Sequence, residues 1–281
     1  MKLILETTPG FNSDTPLSEA ARALGWEVVT LQHVPFTDFR DSFAFVDSFE
    51  KMNPIPKAVL QDPKAWFHGS ITAAKVAQKT TSWKVHAPWS RLRCAVYYAF
   101  LQERLFQQNW MLTTIEGVLA DKEALFSSEM ALEETLFFRP DSCDKIFTGM
   151  CISKSDFEAG YQRMIYSDPP PRTQVVVAVP QKILEEARFL IVDKKVVTGS
   201  VYRNGGKLEH VPASPEMLDM AQGHLDFCVE KGYNPALSWV LDLAFDGLEW
   251  RILEVGATSC CGFYACDARK FLSALEESLR K

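Results

Sequence analysis

The sequence predicts an α/β amino-terminal domain followed by a region of α+β type. The chain begins with a strand, a helix and a second strand, which is the order typical of a doubly wound sheet. Its second half alternates short apolar runs with glycine and aspartate turns, a pattern typical of antiparallel strands. The 281 residues are 47% hydrophobic, which suffices for one large domain or for two.

The α/β pattern extends over about the first 85 residues. Lys2 to Leu5 predicts a strand, Pro16 to Leu24 predicts a helix that ends at Gly25, and Trp26 to Leu31 predicts a second strand. Residues 72–79 predict a further helix. The sequence contains neither GxGxxG nor GxxxxGK[ST], so a Rossmann dinucleotide site and a P-loop are not indicated.

The middle of the chain is rich in helix formers and ends in a polar loop. Residues 90–109 and 123–134 predict helices. A strand then ends at Arg139, and the loop from 141 to 149 contains Lys145, hydroxyl groups and a glycine. Such a loop has the chemistry to hold phosphate, although an Arg-Pro strand end and a glycine turn also occur without any ligand.

After a proline-rich linker at 168–172, the chain predicts mainly strands. Val175 to Val179 predicts a buried strand, and residues 187–201 predict a hairpin that turns at Asp193-Lys194. Two helices, at 215–231 and 271–281, flank a second hairpin.

This second hairpin, residues 239–256, carries two carboxylates in otherwise apolar strands. Asp246-Gly247 supplies the turn. A loop of three or five residues makes Asp242 and Glu254 diagonal neighbours on one face, about 7 Å apart. Carboxylate oxygens are the ligands that a hard divalent metal prefers, so the hairpin predicts a metal site. The alternative is a plain edge salt bridge to Arg251.

Composition argues against several classes of protein. The net charge is −6, the pI is about 5.5 and there is no basic run, so nucleic-acid binding is not indicated. No apolar run is long enough to span a membrane, and the first residues become polar too early for a signal peptide, so a cytoplasmic protein without a membrane partner is expected. Seven cysteines without CxxC pairs and five scattered histidines favour reduced thiols over a zinc site.

The order of five sequence blocks resembles the ATP-grasp superfamily. The blocks are FRPD…KIFTG at 138–149, EARFLIVD at 186–193, TGSVYR at 198–203, LDLA at 241–244 and ILEVG…GFY at 252–264. Residues 90–281 are similar to a small bacterial and phage clade related to the glutamate ligases that modify ribosomal proteins.

The resemblance implies a pre-ATP-grasp, Rossmann-like domain at 1–85 and an ATP-grasp domain at 86–281. The second would consist of two α+β subdomains, at about 86–170 and 171–281, which clamp ATP between them. The implied activity is that of an ATP-dependent ligase that joins an amino-acid or peptide carboxylate to an amine or a thiol through an acylphosphate, with ATP and Mg²⁺ as cofactors.

The resemblance also implies a role for individual residues. Nucleotide contacts are expected from Arg139, Lys145, Val177, Ala178, Val179 and Glu186, catalytic contacts from Arg188 and Arg203, and magnesium ligands from Asp242 and Glu254. Arg139 and Lys145 would neutralise phosphates, and the strand at 177–179 would contact adenine.

One departure from the family pattern concerns the metal. Where the superfamily usually has Glu-x-Asn, this chain has glycine at 256. Either Thr258 or Ser259 supplies the missing oxygen, or one metal binds instead of two, or activity is reduced. Without a ligand role, Gly256 indicates a tight turn.

Three further readings stay open on the sequence alone. One is a kinase that transfers phosphate to a hydroxyl group, and another is a nucleotide-binding module that has lost turnover. The adjacent thiols of Cys260 and Cys261 also raise the possibility of a cysteine nucleophile, although no histidine lies nearby in sequence.

Overall fold

The computed structural model describes residues 1–7, 15–34, 43–46 and 52–280, and these residues form three sheets with helices packed against them. Residues 8–14, whose proline, glycine, asparagine and serine residues predict a loop after the first strand, lie outside the described residues. Within the described part of the chain, no helix combines the length and the apolar character needed to cross a bilayer.

The amino-terminal sheet is parallel at its centre. Its strands are β1 (Lys2–Glu6), β2 (Glu27–His33), β3 (Phe43–Val46), β4 (Met52–Pro54) and β5 (Ala65–His68). They follow the order β4-β3-β2-β1-β5, in which β1 pairs in parallel with β2 and β5. The associated helices are α1 (Thr15–Ala23), α2 (Lys57–Leu60) and α3 (Ile71–Thr80). The predicted strand–helix–strand start is confirmed, and Gly25 ends the helix with a φ of +74°.

The second sheet is antiparallel and lies in the middle of the chain. Its strands are β6 (Trp110–Thr114), β7 (Thr135–Pro140), β8 (Met150–Ser153) and β9 (Gln174–Ala178), in the order β6-β9-β7-β8. The helices of this region are α4 (Cys94–Leu101), α5 (Ile115–Ala120), α6 (Lys122–Phe126) and α7 (Phe157–Ile165).

Both helices predicted in this region are shorter than expected. The one predicted at 90–109 comprises α4 and a single 3₁₀ turn, Gln102–Arg104, before the chain enters β6. The one predicted at 123–134 ends at Phe126, and Glu133 and Glu134, which adopt positive φ angles, come directly before β7. Helix propensity is overridden here by the need to add strands to the sheet.

The third sheet is antiparallel and provides most of the site described below. Its strands are β10 (Glu185–Val192), β11 (Lys195–Asn204), β12 (Lys207–Pro212), β13 (Ser238–Phe245) and β14 (Trp250–Gly256), in the order β12-β11-β10-β13-β14. The helices α8 (Pro215–Glu230) and α9 (Ala268–Arg280) complete the chain. Asp193 and Lys194 have φ angles of +49° and +62°, so the predicted turn has the left-handed geometry of a two-residue hairpin loop.

The register of the carboxylate hairpin differs from the prediction. Phe245 pairs with Trp250, so the loop spans residues 246–249 and has an even length that alone would put the carboxylates on opposite faces. A bulge at Leu253 shifts the register by one residue, and Asp242 pairs directly with Glu254. The predicted diagonal arrangement is wrong, whereas the shared face is confirmed.

Two packed cores connect the sheets. One joins α4, β9, α8 and the third sheet, and the other joins β1 and α1 to α9 and the third sheet. Trp26 Nε1 donates a hydrogen bond of 3.1 Å to Glu276 Oε2 across the α1–α9 contact. The strand β9, which follows the predicted subdomain boundary at 170, pairs into the second sheet. The domain boundaries themselves stay predictions.

Gly199 on β11 marks a close contact that a substitution would disrupt. A Cβ atom at Gly199 would lie 2.5 Å from the Phe189 ring, whereas one at Gly223 on α8 would meet nothing within 4 Å. We expect Gly199→Ala to lower the free energy of unfolding by about 1–3 kcal/mol through overpacking. Gly223→Ala is the matched control and should be neutral or stabilising, because alanine favours helices. Urea titration measures both, and equal effects would contradict the prediction.

His86 connects the amino-terminal region to the third sheet. Its backbone N–H donates to Ser259 Oγ at 2.9 Å, and its Nδ1 lies 2.6 Å from Ser238 Oγ. Burial, with a smaller effect from Lys84, lowers the pKa of His86 to about 4. An unfolded histidine takes up its proton near pH 6.5, so the unfolded state binds more protons between about pH 6.5 and pH 4.

Stability is therefore expected to fall as the pH drops through this window, by up to about 3 kcal/mol from His86. Burial likewise lowers the pKa of His224 to about 4, so this residue acts in the same direction. Unfolding free energies measured between about pH 7 and pH 4 should decrease less steeply in His86→Asn than in the wild type. An unchanged slope would show that His86 does not contribute.

Candidate active site

Charged side chains form a row across three adjacent strands of the third sheet. Arg188 on β10 lies opposite Asp242 on β13, and Asp242 lies opposite Glu254 on β14. Because side chains alternate along a strand, Glu186 shares the face of Arg188. The sheet thus presents an arginine and three carboxylates on one surface.

Asp242 and Arg188 form a buried, bidentate ion pair. Arg188 Nε donates to Asp242 Oδ1 at 2.9 Å, and Arg188 Nη2 donates to Asp242 Oδ2 at 2.7 Å. Burial raises the pKa of Asp242, and the guanidinium opposes that shift. The sequence alternative of an edge pair with Arg251 is wrong, because Arg251 pairs with Glu249 instead.

Glu254 receives a weaker contact from the second sheet. Arg139 Nη2, on β7, lies 3.4 Å from Glu254 Oε2. The side chain of Arg139 is 13% exposed and that of Glu254 is 36% exposed. Glu254 is therefore accessible to a ligand, and its contact with Arg139 bridges the second and third sheets.

Two cavities meet at Glu254. The larger cavity, of about 340 Å³, lies between the second and third sheets and includes Arg139, Lys145, Glu186 and Glu254 in its lining. The smaller cavity, of about 120 Å³, includes Lys145, Arg188, Asp242 and Glu254. Lys145 and Glu254 line both, so a ligand in the larger cavity can contact a second ligand in the smaller one.

Glu186 holds together a polar cluster at the edge of the row. Tyr202 Oη donates to Glu186 Oε2 at 2.6 Å, and Arg203 Nε lies 3.0 Å from Glu186 Oε1. A bulge in β11 between Val201 and Arg203 brings both residues next to Glu186. Arg203 is 43% exposed and belongs to neither cavity lining, so it lies at the rim of the row.

The residues predicted to contact adenine, 177–179, line neither of the two cavities. Val177 and Ala178 are fully buried on β9 and pack into two different hydrophobic cores. Val179 follows the strand, and its N–H donates to Asn109 O at 3.2 Å. Ile183, a few residues later, lines the larger cavity, so the chain after β9 borders it. The adenine contact at 177–179 stays a prediction.

The two hydroxyls proposed to replace the missing asparagine are already engaged elsewhere. Thr258 Oγ1 lies 2.7 Å from Ser238 Oγ, and Ser259 Oγ accepts the N–H of His86. Both residues are fully buried and neither lines a cavity described above. Gly256 ends β14 opposite Val240 and has no positive φ, so the predicted tight turn is also wrong.

Cys143 and Cys260, which line the smaller cavity, do not have the properties of nucleophiles. Burial raises the pKa of Cys143 to about 12 and raises the pKa of Cys260 as well. A thiol with a raised pKa stays protonated at neutral pH and is a poor nucleophile. These residues act as small apolar lining groups of the smaller cavity.

The sequence interpretation missed several lining residues. Trp89 and Cys143 line the smaller cavity together with Ile71, which begins α3. Tyr264 also lines it and stacks on Tyr202, with ring centroids 4.8 Å apart. Tyr264 and Cys143 fall within the spans of two of the blocks that resemble the family, and Trp89 begins a further segment that is similar to the same clade.

This donor set fits a complex of a nucleotide with a divalent cation. Facing carboxylates offer the oxygen ligands that Mg²⁺ prefers, and Lys145 and Arg188 provide positive charge for phosphates in the same cavity. Asp242 and Glu254 are the residues predicted to hold the metal; Glu254 is partly exposed, whereas both oxygens of Asp242 accept hydrogen bonds from Arg188.

Comparison with known proteins identifies the family and the fold of the chain. The family described as "ATP-grasp domain, R2K clade family 3" matches residues 54–275. No curated protein sequence matches the chain.

Three solved structures cover nearly the whole chain. D-cycloserine synthetase DcsG is 16% identical and has a TM-score of 0.63, with 99% of this chain and 100% of that chain covered. D-alanine–D-alanine ligase from Bacillus anthracis is 12% identical, with a TM-score of 0.59 and coverage of 100% and 98%. ATP-grasp ligase PsnB, complexed with a minimal precursor, is 12% identical, with a TM-score of 0.56 and coverage of 98% for both chains.

At these identities, the structures establish only the fold, and they confirm the predicted ATP-grasp architecture. The family match covers most of the chain and confirms the resemblance found in the sequence blocks. The chain therefore belongs to the ATP-grasp superfamily, in family 3 of the R2K clade.

Proposed function

We propose that this chain is an ATP-dependent ligase that joins the carboxylate of an amino acid or peptide to an amine or a thiol. The observation that carries the proposal is the pair of facing carboxylates, Asp242 and Glu254, in a cavity that also contains Lys145 and Arg188. The larger cavity, which shares Lys145 and Glu254 with this one, provides room for a nucleotide beside a second substrate.

The nucleotide is proposed to occupy the larger cavity. Arg139 and Lys145 would neutralise its phosphates, with Glu186 at the same wall, and the backbone at 177–179 would contact adenine. Mg²⁺, when bound, would neutralise phosphate charge and polarise the transferred group. The carboxylate substrate is proposed to occupy the smaller cavity, where Arg188 faces it.

The proposed reaction has two steps, the formation of an acylphosphate and its attack by an amine. A carboxylate oxygen attacks the γ-phosphorus, the bond to the bridging oxygen breaks, and ADP leaves with that electron pair. An amine then attacks the acyl carbon, inorganic phosphate leaves, and the amine loses a proton. Arg188 would stabilise the charge on the transferred phosphoryl group, and Arg203, at the rim, would contact the substrate.

The similar structures support a small or peptidic substrate. One is a D-cycloserine synthetase, another joins two D-alanine units according to its name, and PsnB is complexed with a precursor. Reaction in the cytoplasm stays a prediction from the sequence.

A product assay tests this function. The protein is incubated with ATP, Mg²⁺ and pools of amino acids and dipeptides, and ADP, phosphate and new masses are measured. A ligase releases phosphate together with a condensed product, whereas a kinase yields a stable phosphorylated product. Nucleotide binding without ADP formation in any pool would favour the binding-module alternative.

Glu254→Gln tests the metal ligand in the same assay. The amide removes the negative charge of Glu254 and keeps the size of the side chain. We expect ADP formation to fall by about 100-fold or more. Glu249→Gln, in the loop of the same hairpin, is the matched control and should leave turnover unchanged, since Glu249 lines neither cavity of the site. Equal turnover in both variants would exclude Glu254 from the site.

A further inference from the structure

We propose, on the basis of the nucleotide site proposed above, that this chain uses one divalent cation with its nucleotide, and that Arg188 replaces a second. Glu254 is the protein ligand of that single cation. At Asp242, the guanidinium of Arg188 supplies the positive charge that another cation would supply.

The first argument is that both oxygens of Asp242 are occupied. Arg188 donates to them at 2.9 and 2.7 Å, in the parallel arrangement that makes arginine–carboxylate pairs strong. Mg²⁺ demands near-ideal octahedral geometry and gives up its water reluctantly. A cation at Asp242 would therefore have to displace a well-formed pair.

The second argument is that Arg188 is held in place from other directions. Its Nη1 donates to Gly262 O at 3.1 Å. The guanidinium lies 5.5 Å from the ring of Tyr202 and 5.2 Å from the ring of Tyr264, distances suited to cation–π attraction. The hydroxyl group of Tyr202 donates to Glu186, and this hydrogen bond fixes the tyrosine ring. Movement of Arg188 away from Asp242 would break several of these contacts together.

Glu254, unlike Asp242, is accessible and only weakly paired. It is more than a third exposed, its contact with Arg139 is long at 3.4 Å, and it lines both cavities. A cation carried by the nucleotide can therefore reach Glu254 without displacing a short hydrogen bond.

The third argument is the lack of further oxygen ligands. Gly256 has no side chain, and the hydroxyls of Thr258 and Ser259 bond to Ser238 and to the His86 backbone. Among the described residues, no group of three or more histidine, cysteine, aspartate or glutamate side chains can hold a metal. Apart from Glu254 itself, a second cation would find only Asp242, which is paired with Arg188, and Glu186, which is paired with Tyr202 and Arg203.

Counting bound Mn²⁺ tests the proposal. The protein is saturated with a non-hydrolysable ATP analogue, and bound Mn²⁺ and bound nucleotide are both measured by equilibrium dialysis, with electron paramagnetic resonance to detect coupled ions. We expect one Mn²⁺ per bound nucleotide, and Mn²⁺ affinity lower by about tenfold or more in Glu254→Gln. Two ions per nucleotide in the wild type would overturn the proposal.

Two variants separate the effect of Arg188 from that of the missing side chain at 256. A Cβ at Gly256 would lie 3.4 Å from Val240 Cβ, an ordinary contact, and Gly256 lines the smaller cavity, so the first side-chain atom of Gly256→Asn meets no clash. We expect one ion in Gly256→Asn and two ions when Gly256→Asn is combined with Arg188→Gln. Two ions in Gly256→Asn alone would overturn the role of Arg188.

The test does not depend on the folding of the double variant. The number of Mn²⁺ ions per nucleotide in the wild type and in Gly256→Asn is enough to overturn the proposal. Absence of nucleotide binding in the wild type would overturn both this proposal and the proposed function. Bound nucleotide with two ions would overturn only the proposal of a single cation.

Discussion

Replacement of Arg188 by methionine is expected to destabilise the protein by about 3–5 kcal/mol, because it leaves a buried carboxylate without its partner. Asp242 is only 3% exposed, and it receives both short hydrogen bonds of the pair from this one guanidinium. Methionine keeps much of the length of the side chain but cannot donate. The melting temperature should fall on the order of 10 °C.

Two further variants identify the cause of this loss. In the double variant Arg188→Met with Asp242→Leu, both charges are gone, and most of the lost stability should return because an apolar pair needs no compensation. Arg251→Met is the matched control, since Arg251 pairs with Glu249 at the exposed end of the same sheet. It should cost at most about 1 kcal/mol.

Thermal and urea unfolding, measured without nucleotide, compare all three variants. A loss below about 1 kcal/mol in Arg188→Met would mean that the free carboxylate is solvated or protonated at little cost. No recovery in the double variant would mean that the tyrosine and Gly262 contacts of Arg188, rather than its charge pair, hold this part of the sheet together.

Replacement of Lys145 by alanine is expected to lower ATP-dependent turnover by about 100- to 1,000-fold, because one preorganised cation is lost where charge develops. Lys145 lines both cavities, and its ammonium forms no hydrogen bond or ion pair with another described residue. It is thus available to a phosphate without first giving up a partner. Turnover is measured as ADP release with the substrate pool that the product assay identifies.

The stability of the same variants separates binding from folding. Lys145 has a φ of +52°, a backbone conformation that residues other than glycine rarely adopt. Lys145→Gly should therefore be no less stable than the wild type. Lys154→Ala removes a lysine that pairs with Glu123, away from both cavities, and should keep full activity. Turnover within about threefold of the wild type in both Lys145 variants would remove this residue from the phosphate site.

Features of this protein that depend on neighbours along the chain were predictable from its sequence. The first strand, helix and strand and the turn at Asp193-Lys194 follow from periodicity and turn chemistry. The shared face of the two carboxylates was predicted as well, but it depends on the bulge at Leu253. The ordered sequence blocks also sufficed to identify the superfamily, since they hold the charged residues that now lie around the two cavities.

Tertiary packing decided what depends on residues distant in sequence. The bulge at Leu253 overrides the register that the loop length alone would set, and it brings Asp242 directly opposite Glu254. The partner of Asp242 is Arg188, a residue 54 positions earlier, because β10 lies next to β13 in the sheet. Local patterns specify which strands form and which side chains of a single strand share a face. Strand order and the burial of charges determine which groups meet, and these follow from the folding of the whole chain.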